Sequence, residues 1–432
     1  MDKGKGDLLQ ADTGRGVDLL GIDANEATKP ATGNVWEIDR RIGRWIMTSA
    51  GRPDVGLVLW DGQAVYSPAS PVATVRINDR RALYGLITRL DVNFGDAYSA
   101  GRIEVDGDLV AGLESVYLAL REVAPPGSWR RRLSEWRNRP SANSQATAQG
   151  NIHHHYDLGN EFYSLWLDPR MLYTCAYYPT EDATLEQAQL AKMEHVCRKL
   201  QLAPGQRVVE AGCGWGALAM YMAREYDVEV TAYNISTEQL AYARERAAAE
   251  GLDKKVTFVE ADYRTIDQTY DRFVSVGMLE HVGVHNFKEL GSLVSRVLAP
   301  DGLALIHSIG RNAPAANNPW IEKRIFPGSR PPSLSEMCEI FEPQRLSVLD
   351  IENLRLHYAR TCDAWLEQFD QVTDKVSDMY DDAFVRAWRL YLAGSVAAFT
   401  TGSLQLFQVV FTHEYNNQVP RTRNHQYVRP HV

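Results

Sequence analysis

Long apolar runs, a secretion signal and paired cysteines are all missing from this chain of 432 residues. The nearest approach to a membrane-length stretch is Leu390 to Phe411, and Gly394, Ser395, Thr400, Thr401, Gly402, Gln405 and Gln408 interrupt it. A packed helix or two is expected there rather than a span. The start, Met1-Asp-Lys-Gly-Lys-Gly6, has no apolar signal core. Five cysteines (Cys175, Cys197, Cys213, Cys338 and Cys362) are an odd number without a C-x-x-C pair. They argue against a disulfide framework and point to reduced thiols in the cytosol. Positive charge is not in excess either: 46 Lys and Arg against 55 Asp and Glu give −9, which argues against bulk nucleic-acid binding. His153, His154 and His155 face different directions and have no carboxylate or cysteine partner at ligand spacing, so no metal is expected.

What is present is an ordinary globular composition, 45% hydrophobic and 23% charged, in a chain long enough for two or three domains. Residues 1–33 are polar and expected to be disordered. Residues 34–124 read as a small α+β domain. Its strands are expected over 55–60, 72–77 and 102–107, and Asp79 is expected to cap a helix running through Leu90. Residues 125–150 form a linker in which Arg130, Arg131, Arg132, Arg137 and Arg139 lie beside Trp129, Leu133 and Trp136. Such a mixture suits an anionic membrane surface, and equally a solvated linker docked by its tryptophans. The main domain is expected over 151–414, and the tail 415–432 carries no readable signal.

Within the main domain, strand-like segments at 207–210, 228–233, 256–260, 272–276 and 303–308 alternate with helical ones. That alternation predicts a parallel sheet with helices on both faces. The segment Arg207-Val-Val-Glu-Ala-Gly-Cys-Gly-Trp-Gly216 reads as a strand, a glycine turn and the start of a helix near Ala217. Such a turn holds a nucleotide-like cofactor at the carboxyl edge of an open sheet. NAD would call for an acid after the second strand, where Asn234 and Gln239 stand instead. Further along that edge come Asp262 and Tyr263, then Glu280 and His281 between glycines, then His307 and Ile309.

These residues sit in a pattern that resembles the cyclopropane fatty acid synthases, a branch of the class I S-adenosylmethionine-dependent methyltransferases. The resemblance is carried by His155-Tyr-Asp-Leu-Gly-Asn160, Tyr173-Thr-Cys-Ala-Tyr-Tyr178, the glycine turn, Met278-Leu-Glu-His-Val-Gly283, His307-Ser-Ile-Gly310 and Phe326-Pro-Gly328. It implies an α/β Rossmann-like domain with a mostly parallel seven-stranded sheet, preceded by a sterol-carrier-like α+β domain that engages lipid. It implies methyl transfer from S-adenosylmethionine to a cis double bond of a phospholipid acyl chain, with a bound bicarbonate ion as the base that closes the ring. The bicarbonate cradle carries over to Cys175, Glu280, His307, the Ile309 backbone and Tyr358. Cofactor contacts carry over to Tyr173, Thr174, Gly212, Gly214, Asn234, Gln239, Asp262 and Tyr263. Thr174, Glu210 and Ala217 replace the serine, aspartate and glycine common in relatives.

Tyr177, Trp215, Trp320 and Tyr358 are candidates for stabilising a cation, against an ordinary packing role. Cys175 without the resemblance reads as a small buried residue, or as a nucleophile if His307 lies close. Trp388, Tyr391, Phe399 and Phe407 read as core of C-terminal helices, or in part as the wall of an acyl tunnel. The resemblance also implies a cytoplasmic homodimer, peripheral on the inner membrane face. Two alternatives stay open: a methylene- or methyl-branched product, and a non-catalytic lipid-binding protein.

Overall fold

The computed structural model describes residues 20–21, 33–123 and 158–427. Most of the N-terminal segment, the 125–150 linker, His153 to His155 and the end of the tail lie outside the described residues. The first sheet contains β1 (Val55–Val58), β2 (Ala64–Tyr66), β3 (Ala73–Ile77) and β4 (Ile103–Gly107), in the order β2-β1-β3-β4. Asp79 caps the following helix as expected, its Oδ1 accepting from the Ala82 N–H at 2.8 Å, and Arg102 Nε donates to the same carboxylate at 2.8 Å. That helix stops at Thr88, because Arg89 is extended, and a second helix spans Leu90–Ser99. The sequence suggested only a lead-in to a strand there. Asn93, Gly95 and Asp96 are weak helix formers, and burial of Val92, Ala97 and Tyr98 overrides them.

The larger sheet holds β5 (Arg207–Ala211), β6 (Glu229–Asn234), β7 (Val256–Glu260), β8 (Tyr270–Val276), β9 (Leu298–Gly310), β10 (Leu346–Asn353) and β11 (Gln405–His413). Their order is β10-β11-β9-β8-β5-β6-β7. Strands β5 to β9 pair in parallel, and β11 lies antiparallel between β9 and β10. The chain leaves β5 toward β6 on one side, while β8 flanks it on the other. A crevice therefore opens at the carboxyl ends of β5 and β8.

One expectation is corrected here. The stretch from Leu390 to Phe411 is half helix and half strand: the helix Asp382–Thr400 ends, and β11 begins at Gln405. Phe407 thus lies on a fully buried central strand rather than on a helix. The alternating aromatic and β-branched run in β11 fits a pleated sheet. Polar residues that broke up the apolar stretch find partners within it and across the sheet: Gln405 Nε2 donates to Gly402 O at 2.9 Å, and its Oε1 accepts from Asn353 Nδ2 at 2.9 Å. Among the described residues no helix is long and apolar enough to cross a membrane. The tail also carries structure: its helix Asn424–Tyr427 packs on the helix Leu185–Lys199, and Gln426 Nε2 donates to Asp350 at 3.2 Å.

The small sheet's helices dock on the main domain through Asp96, which accepts from Trp320 Nε1 at 3.1 Å and pairs with Arg324 at 2.7 Å. Arg386 Nε donates to the Tyr98 carbonyl at 2.8 Å. Gly95 allows this approach, since a Cβ there would lie 2.5 Å from the Trp320 ring. Gly95→Ala should cost about 1–3 kcal/mol by overpacking. The check is a lower thermal unfolding midpoint together with faster proteolysis between the two domains; an unchanged midpoint would remove Gly95 from the docking.

Candidate active site

Glycines 212, 214 and 216 all have positive φ and carry the chain from β5 into the helix Ala217–Tyr226. At Gly216 no other residue fits, because a Cβ would meet the buried Phe258 ring at 2.7 Å. Over this turn lies a cavity of about 130 Å³, lined by Tyr173, Thr174, Gly212, Gly214, Asn234 and Gln239 among others. Asn234 Nδ2 donates to Gly214 O at 3.2 Å and to Gln239 Oε1 at 2.8 Å, which ties β6 to the turn. Trp215 Nε1 donates to Asn160 at 2.7 Å from the other side. Two buried ionisable groups also face this cavity. Burial lowers Lys192 to about 8 and raises Glu210 to about 8, and Lys192 Nζ donates to Thr174 Oγ1 at 2.9 Å.

A second cavity of about 370 Å³ shares Tyr173, Thr174, Gly277 and His281 with the first, so the two adjoin. Its wall is mostly apolar and aromatic, with Phe94, Trp320, Phe326, Tyr358, Tyr391 and Phe399. Glu280 enters at its base from the short helix Leu279–Val282, and the Ile309 N–H donates to its Oε1 at 2.6 Å. Burial raises the Glu280 carboxyl to about 7 against the pull of that N–H, and lowers His281 to about 4. Burial likewise pushes the Cys175 thiol and the Tyr358 phenol upward, so both stay protonated.

His307 lies two residues before Ile309 on β9, facing the same side of the sheet. It is buried behind the cavity wall, where burial holds its pKa well below the usual value. The Gln408 amide on β11 reaches His307 Nδ1 at 3.0 Å, while Lys199 Nζ donates to Gln408 Oε1 at 2.8 Å. Lys199 also donates to Glu352 at 2.6 Å, and His195 Nε2 lies 2.7 Å from that carboxylate. Burial alone would raise Glu352, but His195 and Lys199 outweigh it and hold the group at about 2. An ammonium can only donate, so the Gln408 oxygen faces Lys199 and its NH₂ faces His307. His307 Nδ1 is therefore the acceptor and Nε2 carries the proton. That Nε2 and Glu280 Oε2 are buried with no hydrogen-bond partner.

Comparison with known proteins identifies the line of descent. A family profile described as mycolic acid cyclopropane synthetase matches residues 143–409. The chain belongs to that family. It is 35% identical over 389 residues to a probable fatty acid methyltransferase of Pseudomonas putida, covering 86% of this chain and 95% of the relative. It is 44% identical over 264 residues to the cyclopropane-fatty-acyl-phospholipid synthase of Escherichia coli strain K12, covering 61% of this chain and 68% of that one. Among solved structures, the mycolic acid cyclopropane synthase CmaA1, complexed with SAH and CTAB, superposes with a TM-score of 0.58 at 30% identity. That match covers 61% of this chain and 97% of the other. The chain is thus an S-adenosylmethionine-dependent methyltransferase of the cyclopropane synthase family, with the class I fold.

Within this family member, six of the eight expected cofactor residues line the smaller cavity. Asp262 and Tyr263 do not: Asp262 is held by Arg264, whose Nε donates to it at 2.9 Å. Of the expected cradle, Glu280, Ile309 and Tyr358 line the larger cavity, with Cys175 and His307 behind its wall. Among the aromatic candidates, Trp320 and Tyr358 line that cavity and Trp215 the smaller one. Tyr177 is instead stacked between His195 and His357, at 4.3 and 4.8 Å. The sequence reading missed Lys192, Lys199, Glu352 and Gln408. Only the odd placement of Gln408 in an apolar run could have hinted at them.

Two outcomes follow from this geometry. Gln408→Leu should release the tautomer of His307, seen as a shift of its imidazole nitrogen resonances, whereas unchanged resonances would free Gln408 of that role. Glu280 binds its proton up to about pH 7 when folded but only to about 4.5 when unfolded, so its contribution to stability falls as pH rises through that window. Glu280→Gln should abolish the fall, read as a thermal midpoint gaining on the parent between pH 5 and 8.

Proposed function

We propose that the protein transfers the methyl group of S-adenosylmethionine to a cis double bond of a phospholipid acyl chain, with bicarbonate taking the proton whose loss closes a cyclopropane ring. The observation that carries the reading is the pair of buried, partnerless polar atoms, Glu280 Oε2 and His307 Nε2. A bicarbonate ion fits such a donor set: His307 Nε2–H donates, and Glu280 near its raised pKa of about 7 donates when protonated. Bound S-adenosylmethionine supplies an electrophilic methyl, and bicarbonate a small base.

The chain's own residues hold these groups and protect a cationic acyl chain. Asn234, Gln239 and the glycine turn bind the nucleoside end, and the Lys192 and Glu210 pair faces the amino-acid end. Tyr358, Trp320 and Phe399 line the chamber that takes the acyl chain, where aromatic quadrupoles favour positive charge. Cys175 and Tyr358 stay protonated, so no strong nucleophile competes for the cation. Asp262 and Tyr263 support the cofactor pocket from outside its lining. The small N-terminal domain engages lipid, and docking on the inner membrane face is supported by its helix Glu37–Ser49. There Ile38 and Trp45 are 48% and 54% exposed on one stripe with Arg41. The homodimer rests on the resemblance alone.

A second reading, a methyl-branched product, is favoured by the name of the Pseudomonas putida relative. Incubation with S-adenosylmethionine, bicarbonate and cis-unsaturated phospholipid vesicles tests both. High-field ring-methylene protons in the product NMR support cyclopropanation, and a vinylidene or branched-methyl signal overturns it. Glu280→Gln and His307→Ala should each lower turnover by about 10²-fold or more while sparing S-adenosylmethionine affinity. Turnover near the parent's would take them out of the chemistry.

A further inference from the structure

A third cavity, of about 480 Å³, lies inside the small N-terminal domain, and nothing in the proposed chemistry uses it. Its wall is almost wholly aliphatic, with Met47, Val55, Leu57, Val75, Leu86 and Val116 in prominent places. It shares Asp91, Phe94, Leu113, Tyr117 and Asn318 with the catalytic cavity, so the two chambers adjoin along these residues. Three of these five carry polar groups. Asn317 and Arg311 stand on the catalytic side of that boundary, with Arg311 close enough to Tyr117 to act on its phenol electrostatically. Arg89 stands on the N-terminal side, next to Leu90, which is 39% exposed. Arg311 and Arg89 thus flank, from opposite sides, the Asp91-bearing constriction where the two apolar chambers adjoin.

A single acyl chain running through both chambers would set methylene groups against Asp91, Asn318 and Arg311 at the constriction, leaving polar groups poorly solvated. A diacyl lipid removes that conflict, because its own polar atoms fall where its two chains meet. We propose that the two chambers take the two chains of one phospholipid: the unsaturated chain in the catalytic cavity, its companion in the N-terminal cavity, and the glycerol phosphate at the constriction near Arg311. The inference rests on the phospholipid reading above and adds which part of the lipid each domain holds. It makes the N-terminal domain a selector for diacyl over monoacyl lipids.

The test uses the full chain and vesicles of a phosphatidylglycerol with one cis-monounsaturated chain, bearing a photoreactive diazirine at the tip of one chain or the other. Methylation of the same vesicles is measured in parallel. The companion-chain label should crosslink to the helices Glu37–Ser49 and Leu109–Val123, and the unsaturated-chain label to the helix Asp382–Thr400. Both labels in one chamber, or a companion label found only on exposed surface, overturns the inference. If the unaltered chain methylates no lipid, the functional reading itself fails; methylation without partition sinks this inference alone. Val116→Trp, which fills the N-terminal chamber, should lower the ratio of diacyl to monoacyl turnover on the order of tenfold. An unchanged ratio in a variant with parental unfolding behaviour counts against the two-chamber arrangement.

Discussion

Gln408 stands directly opposite His307 across the β9–β11 ladder, and Glu352 stands opposite Gln408 on β10. Three polar side chains thus lie in a row over the three strands at one end of the large sheet. Lys199, the last residue of its helix, closes the row from below with bonds to two of them. Burying such groups is costly unless each is paired, and here each bond depends on the strand register. A slip of β11 by one residue would turn Gln408 to the opposite face and leave Lys199 and Glu352 without their neighbour. The register that holds this row together is also the one that sets the orientation of the His307 ring.

The site is dominated by groups that burial keeps uncharged. Near pH 7 the Cys175 thiol, the Tyr358 phenol, His281 and His307 are neutral, and Glu280 sits at its own balance point. Formal charge sits in the Lys199–Glu352 pair, which does not line the larger cavity, and on Lys192 in the smaller one, where burial keeps Glu210 largely protonated. A chamber of this kind is poor at stabilising an anion spread over a substrate. It is better suited to an apolar chain that carries a positive centre.

Much of this was legible in the sequence where local chemistry is strict. The glycine turn, the Asp79 cap and the five parallel strands announce themselves through positive φ, a capping carboxylate and strand periodicity. The row formed by Lys199, Glu352, Gln408 and His307 was not legible, since its members are brought together only by tertiary register. The helix Leu90–Ser99 was missed because packing sets it against propensity. The strand β11 was misread because an apolar run carries no sign of whether it will coil or pleat. Asp262 and Tyr263 follow β7 at the sheet edge, outside the lining of the smaller cavity, with the Asp262 carboxylate bonded to Arg264.

The Trp320 indole lines the catalytic cavity with its ring and fastens to Asp96 of the other domain with its N–H. Phe94, Gly95, Leu113 and Tyr117 complete the same wall. These four belong to a part of the chain that precedes the family-defining stretch. A room built mainly by the family-defining stretch is therefore closed on one side by residues that precede it. A substitution at that side can reshape the wall without touching the register of the larger sheet.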